Sequence, residues 1–159
     1  SSDLMEIGLK KLHENEWQIH IGYCKIRLDH FSTELLDITL QHALSLENGM
    51  QHSTLESYVK LGLRITNLND LHLQKTLRSV SHVDLLNLML TAKNDDFNAK
   101  ISRNLGVNLA KQLDADLKKA EDPDRELAKD SIRRIVETTY NHESQGEIEF
   151  INDAATQYI

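Results

Sequence analysis

The stretch Val80-Ser-His-Val-Asp-Leu-Leu-Asn-Leu-Met-Leu90 decides the fold of this 159-residue chain. Its residues Ser81 to Asp84 have the form of a helix N-cap, in which a serine hydroxyl accepts a hydrogen bond from an amide of the first turn. The residues that follow are apolar almost all round the helix. A helix of this kind has to be covered on most sides by other helices. The stretch therefore predicts a central, buried helix.

Three more helices are predicted after the central one. Arg103-Asn-Leu-Gly106 separates the first from the second. Asp122-Pro123 predicts an N-cap followed by proline at the first helical position, where no amide hydrogen is needed, and Gly146 ends this last, long helix. The residues that we expect to face inward recur at helical spacing: Phe97, Ile101, Val107, Ala110, Leu113, Leu117, Ala128, Ile132, Ile135, Val136 and Tyr140.

Before the central helix, helical spacing predicts helices over residues 3–12, from Ser32 towards Gly49, after Ser53 and after Asp70. One stretch differs. Trp17-Gln-Ile-His-Ile-Gly-Tyr23 alternates with period two, which is typical of a strand. The comparable stretch is Glu147-Ile-Glu-Phe-Ile151 near the other end, so we expect the two ends to pair as a small β-ribbon that lies on the helices.

The predicted fold class is all-α, a right-handed, armadillo-like stack of short helices with the small β-ribbon formed by the two ends. One proline, six glycines and 5% aromatic residues agree with helices around an aliphatic core. We predict three parts. Residues 1–66 form an N-terminal helical region of unknown role, residues 67–151 form a helical domain, and residues 152–159 form a tail.

The composition excludes several classes of protein. Lys and Arg number 18 against 25 Asp and Glu, a formal net charge of −7, so a nucleic-acid partner is not expected. No apolar run reaches the roughly 20 residues that a membrane-spanning helix needs. The single cysteine, Cys24, excludes an internal disulfide. Its apolar neighbours predict a buried structural thiol.

Eight histidines prompt a search for metal or catalytic chemistry. A metal site on helices needs His and carboxylate three or four residues apart, repeated on a facing helix. The sequence has no Glu-x-x-His and no two histidines four apart, and it has no glycine-rich phosphate loop. We therefore expect no enzyme activity, and no catalytic, cofactor-binding or metal site.

From Leu68 to Ile148 the order of these signals resembles the C-terminal domain of FliG, the rotor-side protein of the bacterial flagellar switch. The shared features are an acidic cap before a leucine-rich turn, a Leu-Leu helix, an Arg-Asn step, an acidic pair before leucine, and Gly-Glu-hydrophobic after a long helix. This sequence carries them at Asn69-Asp70, Leu73-Gln74, Leu77, Val80, Leu85-Leu86, Arg103-Asn-Leu-Gly106, Asp114 to Leu117 and Gly146-Glu-Ile148. The resemblance covers about half of the chain and implies a helical scaffold.

The resemblance also implies a working surface. In that family a row of opposite charges on one helix face meets the charged cytoplasmic loop of the stator and transmits torque. Carried over one position at a time, the row falls on Leu90, Asn108, Ala115, Asp116 and Asp124. Only Asp116 keeps the family's charge.

Neighbouring charges are available to substitute for the lost ones. Lys93 follows Leu90, and Lys111 and Asp114 lie near Asn108. A solvent-facing row of charges at helical spacing is able to steer a partner and release it quickly. We therefore predict a partner-binding, charged ridge made of Asp116, Asp114, Lys111 and Lys93.

These signals predict a FliG-like motor switch or rotor component, or a paralogue, that acts by protein–protein contact in motility, rotor assembly or torque transmission. The expected partners are other flagellar switch or rotor proteins or the stator's cytoplasmic loop, together with self-association. The expected location is the cytoplasm, at the cytoplasmic face of the inner membrane in the flagellar basal body.

Two alternatives stand beside this prediction. A helical-repeat adaptor unrelated to motility would present a contiguous exposed apolar patch in place of a charged ridge. A helical ligand-binding or metal-binding domain would show bound metal by elemental analysis of the pure protein.

Overall fold

The computed structural model describes residues 5–151, which hold three β-strands, seven α-helices and one 3₁₀ helix. The chain divides into two compact units, Ser1–His52 and Ser53–Ile159. The prediction of a mostly helical chain is confirmed, with a small antiparallel sheet in addition. The predicted tail at 152–159 lies outside the described residues.

The first unit begins with an antiparallel sheet in the order β1-β2-β3. β1 is Ile7–His13, β2 is Glu16–Ile21 and β3 is Cys24–Leu28. The strand predicted around Trp17 is confirmed, whereas the helix predicted over residues 3–12 is wrong. Its apolar residues fit both a helical and an alternating pattern, and pairing with β2 selects the alternation.

The β-ribbon predicted between the two ends of the chain is wrong. β2 pairs with its neighbours β1 and β3, and Gly22, with a φ of +60°, makes the turn into β3. Phe150 near the other end forms an isolated bridge with Leu68. A hairpin closes a much shorter loop than a pairing of the two ends, and so costs less conformational entropy.

One face of the sheet is apolar, because residues that pair across strands share a face. The helix α1, His30–Ala43, packs on β2 and β3, with its buried Phe31 at the start. The apolar side chains that stay exposed on this face are Ile7, Leu9, Ile21 and Ile26. Cys24 is exposed in the same rows, so the prediction of a buried thiol is wrong.

The second unit, as far as residue 151, is built of helices together with the isolated Leu68–Phe150 bridge. The helices are α2 (Thr54–Leu63), a 3₁₀ helix (Arg64–Asn67), α3 (Asp70–Leu77), α4 (His82–Ala92), α5 (Asp95–Arg103), α6 (Val107–Lys119) and α7 (Arg125–Ser144). The unit begins at Ser53 and so groups α2 with the later helices, whereas the predicted domain boundary follows residue 66. That boundary stays a prediction.

Side-chain caps begin most of these helices. The hydroxyls of Ser53 and Ser81 accept hydrogen bonds from the amides of Glu56 and Asp84, so both predicted caps are confirmed. The cap predicted for the last helix at residue 122 is wrong. Asp124 takes this role, and its carboxylate accepts from an amide of the first turn at 2.8 Å. Proline therefore lies before the helix and not in its first turn.

The core of the second unit lies where α4 and α2 pack on α7. The prediction that α4 is the central buried helix is confirmed, because Leu85, Leu88, Met89 and Leu90 are all buried. Burial of one such side chain contributes on the order of 2 kcal/mol. Val107, by contrast, is 71% exposed at the start of α6, so the prediction that it faces inward is wrong.

Gly62 in α2 allows the three helices to approach closely. A Cβ at this position would lie 2.8 Å from Leu88 Cδ1 of α4 and 3.4 Å from Ile132 Cγ2 of α7. Both neighbours are fully buried, so neither has free space to move into. The glycine therefore sets the distance between α2 and its two partners.

The Gly-Glu-Ile segment closes the second unit. Gly146 has a φ of +74°, the left-handed conformation that commonly ends a helix. This turn sends the chain back along the unit, where Ile148 is buried. The Ile151 amide then donates to the carbonyl of Asn67 at 2.8 Å. The closing motif thus seals the start of α3 against the end of α7.

Candidate protein-binding surface on α6

The start of α6 is fixed by a hydrogen-bonded step in the chain. Asn104, which is buried, donates through Nδ2 to Asp70 at 3.1 Å and to the Lys100 carbonyl at 2.9 Å. Its Oδ1 accepts from Gln74 Nε2 at 3.0 Å. Leu113 of α6 is fully buried. The Arg-Asn step therefore ties the end of α5 to α3 and orients the helix that follows.

The outer face of α6 carries charges of both signs. Lys118 Nζ lies 3.2 Å from Asp114 Oδ2, one turn earlier, and Lys111 lies on the same side of the helix. All three side chains are exposed. A surface pair of this spacing contributes only a few tenths of a kcal/mol. These charges are therefore able to exchange their partners for those of another protein.

Asp116 lies on another side of α6, roughly 160° from Asp114 about the helix axis at 100° per residue. Its Oδ2 is 3.0 Å from His82 Nε2, at the first residue of α4. The Asp116 side chain is 37% exposed and that of His82 27%. Asp116 therefore links α6 to α4 and keeps part of its carboxylate in solvent.

Lys93 lies on neither of these sides of α6, because it belongs to the end of α4. It ends α4 in the left-handed conformation, with a φ of 48°. Its Nζ lies 2.9 and 3.0 Å from the two carboxylate oxygens of Asp122, in the connection between α6 and α7. The pair fastens this connection to the end of α4.

The structure thus brings together two of the four predicted ridge residues. Lys111 and Asp114 share the outer face of α6, while Asp116 and Lys93 each contact a different part of the unit. They do not form one continuous strip. Their role in binding a partner stays a prediction.

Two of the four positions at which the sequence lacks the family's charge have clear structural roles. Leu90 is buried in the core, where a lysine would lose its hydration. Asp124 is the N-cap of α7, and a carboxylate suits a helix N-terminus better than an arginine does. Asn108 and Ala115 are exposed on α6. At two of the four positions, therefore, packing or capping accounts for the residue that is present.

An ion pair that the sequence analysis missed holds α4 in place. Arg134 of α7 donates from Nε and from a terminal nitrogen to the two carboxylate oxygens of Asp84, both at 2.9 Å. The Asp84 side chain is only 11% exposed, whereas that of Arg134 is 56% exposed. The two residues are fifty positions apart, so no local pattern in the sequence predicts their contact.

The same pair alters the chemistry of the arginine. Its hydrogen bond to Asp84 raises the pKa of the Arg134 guanidinium, and the nearby charges of Asp84 and Asp130 raise it further. Burial lowers this pKa, by less than the hydrogen bond to Asp84 raises it. The contact with Asp84 therefore favours the charged form of Arg134.

Within residues 5–151 there is no group of three or more His, Cys, Asp and Glu side chains arranged to hold a metal ion. The helices in that range include none whose length and apolar character suit it to cross a membrane. Histidines such as His142, which lies 2.7 Å from Glu147 and 3.0 Å from Ser79, contact neighbouring polar groups.

A helical unit that exposes a charged helix on a rigid core is typical of a protein-binding module. The FliG C-terminal domain family matches residues 63–150, more than half of the chain, and the chain therefore belongs to this family. The resemblance seen in the sequence is confirmed. Comparison with curated proteins and with solved structures found no match.

The different exposure of the two side chains predicts that loss of Arg134 costs more stability than loss of the Asp84 charge. Arg134→Met should lower the free energy of unfolding by about 2 kcal/mol, because it leaves a buried carboxylate without its partner. Asp84→Asn should cost about 1 kcal/mol or less, since an amide oxygen still accepts from the guanidinium and the half-exposed arginine keeps its water. Urea denaturation followed by circular dichroism measures both. An equal or larger loss in Asp84→Asn would contradict the assignment.

Proposed function

We propose that this protein is a component of the flagellar rotor or switch, or a paralogue of one, and that it acts by protein–protein contact and not by catalysis. The observation that carries the proposal is the family match, which spans every helix from α3 to α7. Its partners are other flagellar switch or rotor proteins or the cytoplasmic loop of the stator. It works in the cytoplasm, at the cytoplasmic face of the inner membrane.

The proposed contact uses exposed charges on and around α6. Lys111 and Asp114 face outward together, and their weak pairing permits rapid exchange with charges of a partner. Asp116 and Lys93 are the other two proposed contact residues, and each lies apart from this pair, beside its own partner at one end of α4. Such a surface gives fast, salt-sensitive association, which suits a contact that forms and breaks repeatedly.

The working part of the chain in this proposal is the helical domain at residues 67–151, arranged as an armadillo-like stack. The proposal assigns no role to the N-terminal region at 1–66. Because only Asp116 keeps a charge of the family's row, assembly or tethering of the rotor is proposed beside torque transmission.

Asp116 provides the most direct test of the charged surface. Asp116→Lys should abolish or strongly reduce swimming of the source bacterium while the purified protein stays folded, because the reversed charge repels the cation that the carboxylate meets. Swimming in soft agar and the thermal melting of the purified variant measure the two effects.

His82→Gln is the matched control, because it removes the imidazole that touches Asp116 and leaves the carboxylate in place. If Asp116 binds a partner, His82→Gln swims normally. If both variants swim normally, torque transmission through Asp116 is excluded. Equal loss of swimming and of melting temperature in both would assign the carboxylate a structural role only.

A second candidate function, an adaptor that associates with its own copy, is favoured by the apolar face of the sheet. Ile7 is 71% exposed and Leu9 61% exposed on an edge strand. Apolar sheet faces are usually packed against a second layer, and two copies related by a two-fold axis would cover each other's face.

Sedimentation equilibrium tests this candidate. The wild-type protein should be a dimer, and Ile7→Lys should be a monomer because it places a charge in the interface. Gln18→Lys adds the same charge to the opposite face of the sheet and should leave the dimer intact. A wild-type monomer at the highest soluble concentration would exclude self-association.

A further inference from the structure

A cleft of about 400 Å³ opens between α3, α5 and the start of α6. It lies at the Arg-Asn step that ties these helices together. Its lining consists of Gln74, Leu77, Arg78, Arg103, Asn104, Leu105, Gly106 and Leu109. The volume is in the range of pockets that hold small ligands or short peptide segments.

Two arginines stand out in this cleft. Arg78 follows α3 and Arg103 is the last residue of α5, and both side chains are exposed. Neither guanidinium has an ion pair or a hydrogen bond to another residue in the described part of the chain. The protein carries a net charge of −7, yet no carboxylate of the described chain lines this cleft.

Several other cations of the second unit have partners. Lys93 and Arg134 pair with carboxylates, and Lys100 donates to the carbonyls of Thr66 and Leu68 at 2.6 and 3.1 Å. Lys111, Lys119 and Arg125 have no partner in the described residues either, but none of them lines this cleft. What sets the cleft apart is that two unpaired arginines share its lining and no carboxylate does.

The other residues that line the cleft limit the kind of ligand that it can bind. The amide of Asn104 is fully used inside the protein, so it holds the wall and offers little to a ligand. Leu77 is buried beneath the cleft and Leu109 is 42% exposed at its edge. The cleft therefore combines two guanidinium groups, which donate hydrogen bonds, with an apolar floor.

We propose that this cleft binds an acidic peptide segment of a partner protein, with carboxylates on Arg78 and Arg103 and an apolar side chain over the leucine floor. Guanidinium groups bind carboxylates through two parallel hydrogen bonds, which gives both affinity and orientation. The site uses none of the four ridge residues. A result that excludes the charged surface of α6 or the role in motility would therefore not exclude this site.

Gly106 offers a variant that tests the site without unfolding the protein. Its φ is −61°, which any residue adopts, and a Cβ there would have no atom within 4 Å. The residue is also the N-cap of α6, where aspartate is preferred over glycine. Gly106→Asp should therefore fold normally and add a negative charge to the lining of the cleft, where it repels an acidic ligand.

The experiment measures the fluorescence anisotropy of a labelled peptide, Glu-Glu-Leu-Glu-Glu-Leu, titrated with the full-length protein. A peptide with lysine in place of each glutamate is the charge control. We expect the acidic peptide alone to bind, and Arg78→Gln with Arg103→Gln to weaken its affinity about tenfold or more. Gly106→Asp should weaken it too, at an unchanged melting temperature.

Lys10→Gln with Lys25→Gln removes the same net charge from the polar face of the sheet and should change the affinity by less than about twofold. If the affinity falls as much in this control as in the arginine variant, the loss is explained by net charge alone and the proposed site is overturned. Absence of binding, or binding that survives loss of both arginines, would also overturn it. Displacement of the peptide by an equal concentration of inorganic phosphate would assign the cleft to small anions and overturn the peptide proposal.

Discussion

The second unit depends on the burial of α4, a helix with too little polar surface to face water. Because Leu85, Asn87 and Leu90 point in different directions about the helix axis and are all buried, α4 must be covered on several sides at once. The helices α2, α6 and α7 provide that cover. Gly62 sets how closely α2 approaches α4 and α7, because the core has no room for a side chain at this position.

Burial alone does not fix the rotation or the height of a helix, because leucines are interchangeable as packing units. The polar contacts of α4 supply that information. Asp84 accepts two hydrogen bonds from Arg134, and the buried Asn87 donates through Nδ2 to Ser131 Oγ at 2.9 Å. With α4 fixed in this way, its first residue, His82, meets Asp116 on α6. The core thus determines where the exposed charges of α6 lie.

Much of the second unit follows from local signals in the sequence. The apolar run from Leu85 to Leu90, the caps at Ser53 and Ser81 and the glycine that ends α7 each act within a turn or two of helix, so they are readable without knowledge of the fold. The order of these signals was sufficient to predict the family.

The features that the sequence did not predict are decided by contacts between different elements of the fold. The strand Ile7–His13 has a pattern that suits a helix equally well, and only its neighbour β2 decides between them. Val107 has helical spacing but begins its helix outside the core. The cleft arginines, Arg78 and Arg103, are far apart in sequence and meet only when α3 and α5 pack.

The central claim is that this chain acts in the flagellar motor through protein contact. Deletion of its gene in the source bacterium, scored together for filaments by microscopy and for swimming, tests that claim most directly. The account predicts either filaments that do not rotate, which indicates torque or switching, or filaments that are absent or misplaced, which indicates assembly or tethering. Normal filaments together with normal swimming would contradict it.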